Sequence, residues 1–164
     1  MLVLRTILPR AAPATHSITL TFEHRRKSRL RTRLDDGTEV ALFLARGTVL
    51  REGDKLAADD GTVVVVRAAS EVLSTAVTSD VLLLARAAYH LGNRHVPLQI
   101  EVGRLRFEHD HVLEDLARGL GLEVRVERAP FEPEAGSYSG AHRHDHDHGH
   151  GHDRGHDHDH DHGP

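Results

Sequence analysis

Short runs rich in apolar and β-branched residues punctuate the first seventy positions: Met1 to Leu8, Ser17 to Thr21, Arg29 to Leu34, Thr38 to Leu44 and Thr62 to Ala68. Runs of this length bounded by turn residues predict strands. Asp35-Asp36-Gly37 and Asp59-Asp60-Gly61 are hairpin signals, because glycine tolerates the positive φ that tight turns need. Arg46-Gly47 and Glu52-Gly53-Asp54 mark further turns. No segment here sustains a helical period, so the first half reads as an all-β domain.

From Glu71 the period changes. Glu71 to Thr75 predicts a strand, and Ser79 or Asp80 can cap a helix with Val81, Leu84, Ala85, Ala88 and Leu91 on one face. Gly92-Asn93 gives its stop signal. Strands over Pro97 to Val102 and Leu105 to Glu108 precede a second helix with Val112, Leu113, Leu116, Ala117 and Leu120 inward. Glu114 and Asp115 stand near its N-terminus, where the dipole favours acid. Leu122 to Val126 is the last strand. Strand, helix, strand, strand, helix, strand is the ferredoxin-like order. Phe131 to Gly140, with its Pro, Gly and Ser, reads as the start of a linker. The expected chain is thus α+β: an N-terminal all-β domain (1–70), a ferredoxin-like βαββαβ domain (71–135) and a disordered His-rich tail (136–164).

Composition sharpens this division. Of sixteen histidines, ten lie in the tail: His142, His144, His146, His148, His150, His152, His156, His158, His160 and His162. Between His142 and Pro164 the others are six Asp, four Gly, two Arg and one Pro, so nothing there can build a core. The formal net charge of −4 sits entirely in this segment. No apolar run approaches the ~18 to 20 residues of a membrane span, so no membrane partner is expected. The opening MLVLRTIL is interrupted by Arg5 and too short for a secretory core, so export is not expected either. The absence of cysteine excludes thiolate zinc sites, iron–sulfur clusters and cysteine nucleophiles. Any metal chemistry must use imidazole, carboxylate, backbone or water.

Neutral imidazole suits nickel, copper and zinc, and interleaved aspartates concentrate cations. Variable spacing implies capacity for several ions rather than one rigid site. Near the imidazole pKa of ~6.5, protons compete with metal, so acid should empty the tail.

In the body, Glu108-His109-Asp110-His111 ends the third strand of the second domain. Alternate strand residues face the same way, so His109 and His111 can chelate one ion if the strand reaches 111. If the helix starts earlier, Asp110 becomes its N-cap and the pair diverges. His95 follows the first helix, in a loop where a solvated role suffices by itself. His90 suits a helix C-terminus, and His16 and His24 carry no partner pattern.

The basic run HRRKSRLRTR, His24 to Arg33, reads foremost as the solvated face of an edge strand, then as a dock for an acidic protein. A nucleic-acid partner is not expected, since the overall balance is acidic and no reader motif accompanies the run. No phosphate loop, H-E-x-x-H or G-x-S-x-G motif occurs, so the protein reads as no enzyme. A hydrolase built from His95, His109 and His111 would need Glu108 or Asp110 beside them in a pocket.

YHLGNRHVPLQIE (Tyr89 to Glu101), FEHDHVLEDL (Phe107 to Leu116) and the His-rich end together resemble the UreE family of urease accessory proteins, nickel metallochaperones. LARGTVLREGDKLAADDG (Leu44 to Gly61) agrees. The resemblance implies a cytoplasmic homodimer with a protein-binding first domain. It implies that His95 binds nickel with its counterpart across the dimer, and that His109 and His111 form an additional metal site. It further implies Ni(II) as cargo, with Zn(II) or Cu(II) able to bind. The implied partners are GTP-dependent urease accessory proteins and apo-urease, for assembly of the urease metallocentre. A cytoplasmic nickel or zinc buffer, with the tail as the whole function, is the alternative.

Overall fold

The computed structural model describes residues 1–136, which form two sheets and three helices. The first sheet contains β1 (Leu2–Leu8), β2 (His16–Leu20), β3 (Arg29–Arg33), β4 (Glu39–Phe43), β5 (Lys55–Ala58) and β6 (Val63–Ala68), in the order β2-β6-β5-β1-β4-β3. Pairs β1/β4 and β2/β6 are parallel and the rest antiparallel. The hairpins at Gly37 (φ 90°) and Gly61 (φ 87°) stand where the Asp-Asp-Gly signals put them. In each, the second aspartate accepts from a threonine N–H two residues on, a local bond that fixes the turn. Leu4, Ile18, Leu42, Leu56, Val64 and Val66 are fully buried on the inner face.

Two features depart from the elements expected in the first domain. The basic run opens with a single helical turn, α1 (Phe22–Arg25), whose N-cap Thr21 accepts from the His24 amide. Strand β5 carries no strand signal in the sequence. Lys-Leu-Ala-Ala has weak β propensity, and it is held by pairing on both sides and by the one fully buried side chain of Leu56.

The second sheet comprises β7 (Ser70–Val77), β8 (Gln99–Glu101), β9 (Arg104–Glu108) and β10 (Glu123–Pro130), antiparallel throughout in the order β10-β7-β9-β8. Helices α2 (Val81–Gly92) and α3 (His111–Leu120) pack on each other and on this sheet. The expected strand, helix, strand, strand, helix, strand order is present. The inward stripe of α2 is rotated from expectation: Leu83, Leu84, Ala87, Ala88 and Leu91 face the core, while Val81 and Ala85 are exposed. In α3 the exposed residue is Val112, and Glu114 takes an inner position instead. Strands β7 and β10 pair over eight residues each, longer than predicted, because mutual pairing extends a ladder beyond what either segment's apolar pattern marks.

The segment after β10 is not a linker at its start. Phe131 is fully buried and meets Phe22 edge-to-face, with ring centroids 5.3 Å apart. With Leu73 and Ala129 they form a small core between the two sheets. The buried guanidinium of Arg25 completes the junction by donating to the carbonyls of Leu20, Leu50 and Phe131 and to the carboxylate of Glu132. Arg51 donates to the Pro133 carbonyl, and the amides of Glu132 and Glu134 bond to Gln99 and Leu98. Residues 131–134 are therefore strapped across both sheets.

Candidate metal centre

His95 stands just beyond the C-terminus of α2, where Asn93, Arg94 and His95 donate in turn to the carbonyls of Tyr89, Leu91 and Gly92. Its backbone is left-handed (φ 57°), and it is the sole non-glycine residue with positive φ among the described residues. That conformation costs an L-residue roughly 1 to 2 kcal/mol relative to right-handed backbone, a penalty glycine escapes. Strain of this kind collects at functional positions. The imidazole is exposed at the rim of an open cleft of about 700 Å³. Phe22 and Val49 from the first sheet's side, Ala88 and Pro97 from the second, and Glu134 to Gly136 from the strap line it. The strap thus delivers Gly136, six positions before His142, into the cleft that His95 borders.

The HDH segment is divided by secondary structure. Strand β9 ends at Glu108 and α3 begins at His111. Asp110 is the N-cap, its carboxylate accepting from the Val112 and Leu113 amides at 2.8 and 3.1 Å. The condition for two histidines on one strand face is therefore not met. His111 is exposed on the first turn of α3. His109 turns back toward the sheet, its Nδ1 2.9 Å from Glu114 Oε1 and 3.3 Å from Ser74 Oγ.

Glu114 is 5% exposed yet ionisable. Ser74 donates to Oε1 at 2.7 Å and Arg118 to Oε2 at 3.0 Å. The Ser74 hydroxyl, with help from Arg118 and His109, outweighs burial and holds the Glu114 carboxyl below its usual range. The i,i+4 spacing of Glu114 and Arg118 was visible in sequence, but neither Ser74 nor the inward aim of Glu114 carried a signal.

Among the described residues no three His, Asp or Glu side chains gather into a ready metal shell. His109, His111, Glu108 and Asp110 do not line the His95 cleft, and the Asp110 carboxylate is engaged in capping, which disfavours the hydrolase arrangement. His142, His144, His146, His148, His150, His152, His156, His158, His160 and His162 lie outside the described residues. Of the remaining histidines, His16 lies 3.7 Å from Asp36, and exposed His90 packs edge-on to Tyr89 in the last turn of α2. Within the basic run, Arg29, Arg31 and Arg33 are exposed on edge strand β3 as expected, whereas Arg25 is buried at the sheet junction.

No helix among the described residues is long and apolar enough to cross a membrane. Residues 4–69 match the family model described as UreE urease accessory protein, N-terminal domain, and residues 63–162 match the corresponding C-terminal domain model. The chain is 61% identical over 140 residues to the urease accessory protein UreE of Alkalilimnicola ehrlichii, covering 85% of this chain and 86% of the relative. It is 60% identical over 124 residues to that of Vibrio parahaemolyticus, covering 76% and 78% of the two chains. Against Pseudomonas putida strain GB-1 UreE the identity is 59% over 134 residues, with 81% of each chain covered.

Proposed function

The chain belongs to the UreE family of urease accessory proteins, with a role in urease maturation, and on that premise we propose that it is a nickel metallochaperone. The tail, residues 136–164, captures Ni(II) through the ten histidines from His142 to His162 and their interleaved aspartates. The ion passes to His95, paired with His95 of a second protomer in a cytoplasmic homodimer. His109 and His111, in a ferredoxin-like domain over residues 71–135, provide further sites that also accept Zn(II) or Cu(II). The loaded dimer hands nickel to GTP-dependent accessory proteins and apo-urease, with the β domain over residues 1–70 as the protein-docking module.

The observation that carries this reading is the placement of His95. An imidazole is kept on a left-handed backbone that glycine would adopt at lower cost, beside the cleft into which the strap feeds Gly136. Six extended residues span up to ~20 Å, so the first tail histidines are within reach of His95. Two imidazoles from a symmetric pair leave coordination positions open, and the tail supplies donors to fill them. Exposed imidazole and carboxylate ligands exchange readily, as transfer requires, where a closed thiolate cage would resist.

Nickel titration by calorimetry at neutral pH tests this, comparing the full chain with His95→Ala and a deletion of residues 142–164. Tail deletion should lower the number of ions bound and leave the tightest body site, which His95→Ala should remove. If tail deletion abolishes the tightest site while His95→Ala is silent, His95 is not the central ligand.

A further inference from the structure

Three donors converge on the buried carboxylate of Glu114: the Ser74 hydroxyl, the Arg118 guanidinium and Nδ1 of His109. An ionised carboxylate only accepts hydrogen bonds, so the His109 nitrogen facing it must carry the proton. In the neutral ring Nε2 is then left with the lone pair. The His109 side chain is half exposed while that of Glu114 is 7% exposed, so the ring is gripped on its inner edge and open on its outer one.

The fold supplies each part of this grip. Ser74 is fully buried on β7, opposite Phe107 of β9 and two residues before Ala76 of the core. Glu114 lies one turn into α3, whose start is pinned by Asp110. Arg118, one turn later on the same helix, holds the second carboxylate oxygen. A carboxylate held at both oxygens cannot rotate away from the imidazole.

From this geometry we infer that Glu114 is a positioning residue for metal binding at His109, fixing the ring with Nδ1–H inward and presenting Nε2 outward as the donor nitrogen, with Ser74 and Arg118 holding Glu114 in turn. The inference rests on the reading of His109 as a metal ligand. A carboxylate behind a ligating histidine fixes its tautomer and raises its basicity, and loss of such a partner typically lowers metal affinity ~10- to 100-fold. Asp110, adjacent in sequence, does not serve this purpose because its carboxylate caps α3.

Two-bond ¹⁵N–¹H correlation spectra of the full-length chain separate the two imidazole tautomers, with the His109 signal assigned by its disappearance in His109→Asn. Zn(II) is the diamagnetic probe, and His95 and the tail histidines are internal references. In the wild type His109 should be protonated at Nδ1, and Zn(II) should shift its Nε2. In Glu114→Met the ring should lose the Nδ1–H tautomer, and the Zn(II) concentration that half-shifts His109 should rise ~10- to 100-fold, with the His95 midpoint unmoved. Glu114→Gln keeps an acceptor oxygen and should retain the tautomer with a smaller loss; it carries the test should Glu114→Met fail to fold. An Nε2-protonated His109 in the wild type overturns the inference, as does an unchanged tautomer and midpoint in Glu114→Met. If the tautomer is as stated but Zn(II) never moves the wild-type His109 signal, the fault lies in the reading of His109 as a ligand, and the inference falls with it.

Discussion

Replacing Arg25 by methionine tests the junction that aims the tail. Methionine approximates the length and apolar volume of the arginine stem but donates nothing. The fully buried guanidinium donates to Leu20 O at 3.3 Å, to Leu50 O at 3.2 Å, and to Phe131 O and the Glu132 carboxylate. Leu20 O still receives the Ala69 amide at 2.9 Å, so its loss is small. The Leu50 and Phe131 carbonyls lose this donor, and a buried acceptor left unpaired costs about 1 to 3 kcal/mol. Removing one member of a buried ion pair costs about 3 to 5 kcal/mol when the other stays unhydrated. Glu132 retains 29% side-chain exposure, so water takes over there and this contribution falls well below the buried-pair range, leaving the two carbonyls to carry the loss. We expect Arg25→Met to lose about 3 kcal/mol in urea unfolding at fixed protein concentration, with Tm falling by roughly 10 °C. The loss should concentrate in the strap, so the amides of Glu132 and Glu134, bonded at 2.9 and 2.8 Å, should gain the most in hydrogen exchange. A loss below about 1 kcal/mol with unchanged protection at these amides would refute the reasoning.

Asp110→Ala removes the acceptor for two first-turn amides of α3 and should cost about 1 kcal/mol in urea unfolding, as N-cap losses do. Glu127 of β10 accepts from Thr75 and then Arg106, and these bonds outweigh burial and lower its pKa. A group depressed in the fold contributes stability that is fully present above its unfolded pKa, near 4.5, and is lost as pH falls through the folded value. The stability gap between wild type and Glu127→Gln should therefore be constant near neutral pH and shrink below about pH 4.5; a gap that persists in acid counts against the ionised pairing. His95→Gly should unfold at the same or higher urea concentration than wild type in the absence of metal, since glycine suits φ 57°, while losing the tightest nickel site in calorimetry. Bound nickel measured by equilibrium dialysis should fall steeply as pH passes downward through ~6.5; retention of nickel at pH 5 would argue for carboxylate rather than imidazole ligation.

Local chemistry was readable because it acts over a few residues. The Asp-Asp-Gly hairpins, the Asp80 cap of α2, the change of period near residue 70 and the accumulation of histidine after residue 141 all follow from neighbours in sequence. So did the conditional reading of the HDH segment: an aspartate before an apolar-periodic stretch is an N-cap signal, and as the cap it ends the strand argument for His109 and His111. What the sequence could not supply were contacts between distant positions. Arg25 sat in a run of cations that reads as solvated, and only the fold brings carbonyls from residues 20, 50 and 131 around it. Phe131 sat among prolines and glycines that read as a linker, and only the approach of Phe22 and Leu73 makes it core. Glu114 has an ordinary helix-dipole explanation in the sequence, and only the fold brings Ser74, forty positions away, against its carboxylate. Composition and periodicity thus determined most of the elements, all but α1 and β5, and which residue types can hold a metal. The tertiary structure decided where those residues face, because burial and hydrogen-bond partnership belong to the packed surface and not to the chain order.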